Sequence, residues 1–114
     1  MGGRLDHTIA NIQTLGYLID HGARGELRDR DCWASVIRNE TITLPKGAWL
    51  GEDAYLSLFA VGGNCRVTET GVEYPLTNHL LTGFYPLGVS NHILDTAKIT
   101  ARGGTLLVML CRGA

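Results

Sequence analysis

Two apolar stretches near the middle and the end of the chain, 54-AYLSLFAV-61 and 105-TLLVMLC-111, decide the fold class. Each is shorter than a typical buried helix, and Gly pairs at 62–63 and 103–104 border them. Short apolar runs between turn residues indicate strands, so the sequence predicts an all-β fold. We expect a small antiparallel β-sandwich or a jelly-roll-like barrel, preceded by an N-terminal arm.

Both faces of these two stretches are apolar, which is unusual for an antiparallel strand. A strand with one face in water alternates apolar and polar residues. The second face is therefore expected to be covered, either by the N-terminal arm or by a neighbouring subunit. On the second alternative, the sequence predicts a homo-oligomer, most simply a trimer. Its predicted interface consists of Tyr55, Phe59, Leu107 and Met109.

The first 31 residues differ in composition from the rest of the chain. Residues 7–21 place apolar side chains at near-helical spacing, whereas Gly16 and several β-branched residues favour an extended arm. Residues 22–32 alternate in charge and resemble a solvated linker. We therefore divide the chain into an arm with a charged linker, residues 1–31, and a β-sandwich domain, residues 32–114.

The β-domain is expected to begin with two strand segments joined around Asn39, followed by a type I turn over residues 44–47. Proline cannot donate to a strand ladder, so Pro75 and Pro86 predict edge strands or bulges. Besides the two deciding stretches, strands are predicted near residues 65–70, 72–77, 84–94 and 97–100.

Charge and hydropathy exclude several classes of function. The formal net charge is −1, with no basic cluster of the kind that binds nucleic acid. No stretch approaches the length of a membrane span, and the first residues lack the apolar core of a signal peptide. The sequence thus predicts a protein made in the cytoplasm that binds neither nucleic acid nor membranes.

Residues with catalytic or ligand-binding potential are few. His79 and His92 lack metal-ligand spacing, and the three cysteines are too far apart for a zinc motif. Trp33 and Trp49 are candidates for stacking on a ligand, although packing in a core or interface is the more common role. No nucleophile motif or phosphate-binding loop is found. The sequence therefore predicts a protein that is not an enzyme and needs no metal or cofactor.

The second half of the chain resembles small bacteriophage virion proteins of the decoration or head-spike type. The resemblance rests on the strand that ends in 61-VGG-63, on Val67-Thr68, on the turn at Gly71 and on 74-YPLTNHLLTGFYPLGV-89. It implies a non-enzymatic structural role in the virion, with the major capsid protein as partner and often a trimeric state. A small β-sandwich module that binds a carbohydrate or a host receptor is the alternative.

The chain has three cysteines. A virion is exposed to an oxidising environment after release from the host, so these cysteines could form disulfides there. Cys32 lies at the arm boundary and Cys111 close to the C-terminal end, where contacts with neighbours are expected. Cys32 and Cys111 are therefore the candidates for a disulfide between subunits. Cys65 shares the core face of its strand with Val67 and is expected to be a buried thiol.

Overall fold

A computed structural model describes residues 5–83 and 90–112 of the chain. One helix precedes eight strands. The elements are α1 (Leu5–Asp20), β1 (Glu26–Arg28), β2 (Cys32–Arg38), β3 (Thr41–Pro45), β4 (Ala54–Val61), β5 (Cys65–Val72), β6 (Leu76–Leu81), β7 (Ile93–Arg102) and β8 (Thr105–Arg112).

The strands form two four-stranded antiparallel sheets that pack face to face. Sheet A has the order β1-β2-β8-β4, and sheet B has the order β3-β7-β5-β6. Alternate residues of β4, β5 and β7 point into the space between the sheets, and those of β4 are nearly inaccessible to solvent. The expected all-β fold is therefore confirmed as a sandwich, and the arm, for which the sequence left a helical and an extended form open, contains a helix. The largest fully buried apolar side chains of the shared core belong to Ile37, Leu56, Leu58, Ile99, Leu106 and Leu110.

Asn39 separates two strands, as expected, but these strands enter different sheets. β2 pairs with β8 in sheet A, whereas β3 pairs with β7 in sheet B. Asn39 has a positive φ of 49°, and its Oδ1 accepts a hydrogen bond of 2.8 Å from the Gly103 N–H. Asparagine tolerates this conformation better than most residues, which allows the chain to cross from one sheet to the other.

Helix α1 covers part of the outer face of sheet A. Leu15 is buried there against Ala34, Val36 and Leu107. Phe59 and Met109 pack at the margin of this cluster and remain half-buried. The second apolar face of β8 is thus covered by the arm of the same chain, the first of the two alternatives that the sequence allowed.

The charged segment after the helix is more ordered than a solvated linker. Its residues 26–28 form β1, which pairs with β2 at the edge of sheet A. The Ser35 hydroxyl donates a hydrogen bond of 2.8 Å to the Gly25 carbonyl and fixes the approach to this strand. The division of the chain into an arm and a domain at residue 31 stays a prediction.

Gly71 explains why the strands of sheet B differ from those expected. Its φ is +75°, and a Cβ at this position would overlap the carbonyl oxygen of Thr96. The register of β5 against β7 shifts at this point, so β5 continues to Val72 and β6 begins only after Pro75. β6 is an edge strand, as proline before it suggested.

Other boundaries moved as well. The predicted segment 97–100 is part of the longer β7, and the predicted strand 84–94 with Pro86 lies largely outside the described residues. The turn after β3 is closed by a hydrogen bond from the Ala48 N–H to the Pro45 carbonyl, one residue later than expected. Within the described ranges, no helix is long and apolar enough to cross a membrane.

Candidate functional site

An open cleft of about 690 Å³ lies where the β3–β4 connection meets the beginnings of β4 and β7 and the end of β8. We call it the β4–β7 cleft. It is lined by Lys46, Leu50, Gly51, Glu52, Asp53, Tyr55, His92, Ile93, Leu94 and Arg112. A cavity of this size with a few polar groups is typical of a small-molecule site.

An aromatic pair forms one wall of the cleft. The rings of Tyr55 and His92 are 4.6 Å apart between centroids and tilted by 35°. Both residues are half-buried, so part of each ring surface faces the cleft. Such a wall can stack against a flat heterocyclic ligand.

Charged side chains of both signs complete the lining. Glu52 and Asp53 come from the loop before β4, Lys46 follows β3, and Arg112 ends β8. All four residues are exposed. Because the carboxylates attract cationic groups and the basic side chains attract anionic ones, the cleft suits a ligand with a charge of its own.

Asn91 lies buried directly beside the cleft and uses its whole hydrogen-bonding capacity. Its Oδ1 accepts from the N–H groups of Tyr74 and His92, both at 3.0 Å. Its Nδ2 donates to the Tyr74 carbonyl at 2.8 Å and to Glu69 Oε1 at 3.3 Å. The side chain therefore joins the β5–β6 turn to the residues that begin the cleft wall.

The backbone of the same segment is attached to the edge of sheet A. Asn91 and Leu56 exchange two backbone hydrogen bonds of 2.7 and 2.8 Å. The Ser90 N–H donates to the Ser57 hydroxyl at 2.9 Å. Because His92 follows directly, these bonds hold its ring against Tyr55.

Glu69 is the most unusual residue near the site, because it is a carboxyl group with no exposure to solvent. Among the residues that the structure describes, its Oε2 has no hydrogen-bond partner, while its Oε1 accepts the hydrogen bond from Asn91 Nδ2. Burial raises the pKa of Glu69 to about 7, and the hydrogen bond from Asn91 opposes part of that rise. Glu69 therefore titrates near neutral pH and contacts the residue that organises the cleft wall.

The two tryptophans do not line this cleft and lie beside Arg28 of β1. Trp33 is buried and stacks on the half-exposed Trp49 with 5.8 Å between ring centroids. The Arg28 guanidinium lies over the Trp49 ring at 4.1 Å and also pairs with Glu26. The hydrogen bond from Arg28 to Glu26 is the main reason why the pKa of Glu26 is lowered. Trp33 thus serves as core packing, while Trp49 stays accessible.

The structure brings only one of the candidate histidines to the cleft. His92 lines it, whereas His79 is exposed on β6. In the part of the chain that the structure describes, no three His, Cys, Asp or Glu side chains are grouped to hold a metal ion.

The residues predicted to contact a second subunit are separated in the structure. Tyr55 faces the cleft, and Leu107 is covered by α1. Phe59 and Met109 remain half-buried on the outer face of sheet A. Their role in association between copies stays a prediction.

Cys32 and Cys111, predicted to link subunits, lie opposite each other within one chain. They are register partners on β2 and β8, and their Sγ atoms are 2.6 Å apart. Both are free thiols, as is Cys65, which is buried as expected. Burial raises the pKa of the Cys65 thiol.

Reasoning from the sequence missed Glu69 and Asn91. A signal for Glu69 was present, because Cys65, Val67 and Glu69 alternate on the core face of one strand. Glutamate is almost never fully buried without a partner, so a glutamate at such a position marks a candidate functional residue. Asn91 gave no comparable signal, since two of its three partner residues, Glu69 and Tyr74, come from a segment that only the fold brings close to it.

Comparison with known proteins assigns this architecture to a family. The family model described as "Thiamin pyrophosphokinase, vitamin B1 binding domain" matches residues 39–106, more than half of the chain. No curated protein matches the chain by sequence.

Solved structures agree with the family model. The thiamin pyrophosphokinase of Geobacillus thermodenitrificans superimposes with a TM-score of 0.82 and 28% identity, covering 100% of this chain and 52% of that one. The Bacillus subtilis thiamine pyrophosphokinase gives 0.88 and 24% identity, with 100% and 53% coverage. The Candida albicans thiamin pyrophosphokinase gives 0.79 and 14%, with 99% and 42% coverage. The chain thus spans about half the length of these proteins or less.

These matches correct the sequence-based view of function. The resemblance to bacteriophage decoration or spike proteins is wrong, because turn residues and apolar strands recur in many unrelated β-sandwiches. With it fall the virion location, the capsid protein as partner, the trimer that it implied and the alternative carbohydrate or receptor module. The expectation of a non-enzymatic protein is also wrong, because the matching family is named for an enzyme. The chain belongs to the thiamin pyrophosphokinase family, of which it matches the vitamin B1 binding domain.

Proposed function

We propose that this chain is the vitamin-binding part of a thiamin pyrophosphokinase and that the β4–β7 cleft receives thiamine. The observation that carries the proposal is the match of the B1-binding family model to residues 39–106, the segment that supplies most of the cleft lining. By their names, the structural neighbours act as pyrophosphokinases on thiamine. Their greater length supports assigning the diphosphate donor to the remaining half of those proteins.

The chemistry of thiamine matches the lining of the cleft. Thiamine joins a flat aminopyrimidine to a positively charged thiazolium that bears a hydroxyethyl group. The Tyr55–His92 wall can stack on a ring, and the carboxylates of Glu52 and Asp53 can attract the thiazolium charge. Lys46 and Arg112 are then the groups that favour an approaching diphosphate.

In this arrangement the chain supplies position and charge. A diphosphoryl transfer depends mainly on orienting the attacking oxygen and neutralising the charge on the phosphates. The bonds of Asn91 hold His92 in place before the ligand arrives, which reduces the conformational freedom lost on binding.

Isothermal titration of the chain with thiamine tests this assignment. Replacing Tyr55 by Ala should weaken binding about tenfold, because a stacking surface is lost. His79→Ala removes a histidine outside the cleft and should leave the affinity unchanged. The separate pyrimidine and thiazole halves of thiamine should each bind more weakly than the whole molecule. Failure of thiamine to bind, or equal binding by Tyr55→Ala, would count against the cleft.

A further inference from the structure

The thiols of Cys32 and Cys111 form a pair that the proposed thiamine site does not use. The two residues are 79 positions apart in sequence and are direct partners between β2 and β8. Paired residues of antiparallel strands have Cα atoms roughly 4.5–5.5 Å apart, within the range that a disulfide bridges. The Sγ atoms, at 2.6 Å, need to approach by only about 0.6 Å to reach the usual bond length of about 2.05 Å.

The loop that precedes Cys32 holds this thiol in position. Asp29 Oδ1 accepts hydrogen bonds of 2.8 Å from the N–H groups of Asp31 and Cys32. The Arg112 N–H donates to the Asp31 carbonyl at 2.9 Å, which ties the same loop to the end of β8. Both thiols are therefore fixed opposite each other without help from a ligand.

A small reagent can reach the pair on the outer face of sheet A. Cys32, although buried, lines a cavity of about 100 Å³ together with Asn11, Leu27, Arg28, Asp29 and Ala34. Cys111 is half-buried on the outer face of sheet A. A space of this size accepts a molecule slightly larger than water, such as hydrogen peroxide.

We propose that Cys32 and Cys111 are a redox-active thiol pair, which hydrogen peroxide oxidises to a disulfide within the chain. The Cys32 thiolate attacks one peroxide oxygen, and the O–O bond breaks to give a sulfenic acid and, with one proton, a water molecule. The Cys111 thiol then displaces the sulfenic oxygen as a second water, and the S–S bond forms. One peroxide is reduced to two waters, and two thiols are oxidised.

The order of the two cysteines follows from their surroundings. Burial, and then the neighbouring Cys32 sulfur, raise the pKa of Cys111 to about 12. Cys32, unlike Cys111, also lines the cavity that admits the peroxide, so Cys32 is the thiol that meets it first.

Mass spectrometry of the unmodified chain tests the proposal directly. After treatment with hydrogen peroxide and alkylation under denaturing conditions, the chain should have lost two hydrogens and should carry one alkyl group, on Cys65. Peptide mapping should join the segments that contain Cys32 and Cys111, and dithiothreitol should restore three alkylated thiols. Three alkylated thiols after peroxide treatment would overturn the proposal.

Variants separate this pair from the third cysteine. Cys65→Ser should still form the disulfide, whereas Cys32→Ser and Cys111→Ser should not. In the unmodified chain, the oxidised form should melt at least about 5 °C above the reduced form, because the link closes a long loop in the unfolded state. A disulfide that joins two chains, seen as a dimer on a non-reducing gel, would also overturn the proposal and would favour a link between subunits.

Discussion

The molecule has two buried regions of opposite character, one on each side of sheet A. Beneath α1, Leu15 packs on apolar side chains of β2 and β8. Between the sheets, Glu69 and Asn91 form a polar contact surrounded by the main core. An apolar contact gains free energy in proportion to the area buried, whereas a buried polar contact stabilises only if its partners are present. The apolar region beneath α1 therefore tolerates small changes in packing, whereas the Glu69–Asn91 contact requires particular hydrogen-bond partners.

The largest effect is expected from removing the centre of the polar region. Asn91→Ala should lower the free energy of unfolding by about 3–5 kcal/mol, because it leaves the backbone groups of Tyr74 and His92 without partners. Urea unfolding measures this change. Asn64→Ala, at an exposed turn, is the matched control and should change stability by about 0.5 kcal/mol or less. Equal effects of the two variants would contradict the assigned role of Asn91.

The next effect concerns pH and arises from Glu69. Its pKa is about 7 in the folded chain and about 4.5 when unfolded, so the folded state retains a proton that the unfolded state loses. Stability from this group is fully present below about pH 4.5 and is lost as the pH rises through 7. The loss amounts to roughly 3 kcal/mol, at about 1.4 kcal/mol per pKa unit.

Glu69→Gln should remove this part of the pH dependence. Urea unfolding of both proteins at pH 5 and pH 8 measures it, and the variant should gain relative to the unmodified chain at the higher pH. Glu52→Gln, at an exposed position of the cleft, should follow the unmodified chain. A parallel decline of the Glu69 variant would show that the carboxyl is not the group that titrates.

The apolar region can be tested through its central leucine. Leu15→Ala should destabilise the chain by about 2–3 kcal/mol, near the lower end for buried leucines, since a surface helix can settle toward the sheet. Ile9→Ala, on the same helix but 51% exposed, should have an effect of about 0.5 kcal/mol or less. Thermal unfolding of the two variants compares them. A small effect of Leu15→Ala would show that helix α1 contributes little to the stability of the sandwich.

The contrast between the two regions also explains what the sequence could predict. The apolar strands β4 and β8 were found almost to the residue, because hydrophobic runs and turn glycines are local signals. The apolar second face of β8 correctly indicated that something packs on it, although only the structure shows that this is helix α1 and not a neighbouring subunit. The polar site depends on Glu69 and Asn91, 22 positions apart in sequence, and no local pattern links them. Function was misjudged for the same reason, since turns and strands specify a fold and not its ligand.

The smallest effect is expected at the C-terminal end of α1, where an ion pair joins the helix to sheet A. Arg38 donates a hydrogen bond of 2.6 Å to Asp20 Oδ1 and another of 2.8 Å to the Thr105 hydroxyl. Asp20 is 60% exposed in its side chain, so water and salt screen the attraction. Asp20→Asn should therefore lower stability by about 0.2–1 kcal/mol at low salt and by less at 1 M NaCl. Asp53→Asn, an exposed carboxylate away from the helix, provides the control for the general loss of charge. If Asp20→Asn proved as harmful as Leu15→Ala, the helix would be held mainly by charge, and the contrast drawn between the two regions would fail.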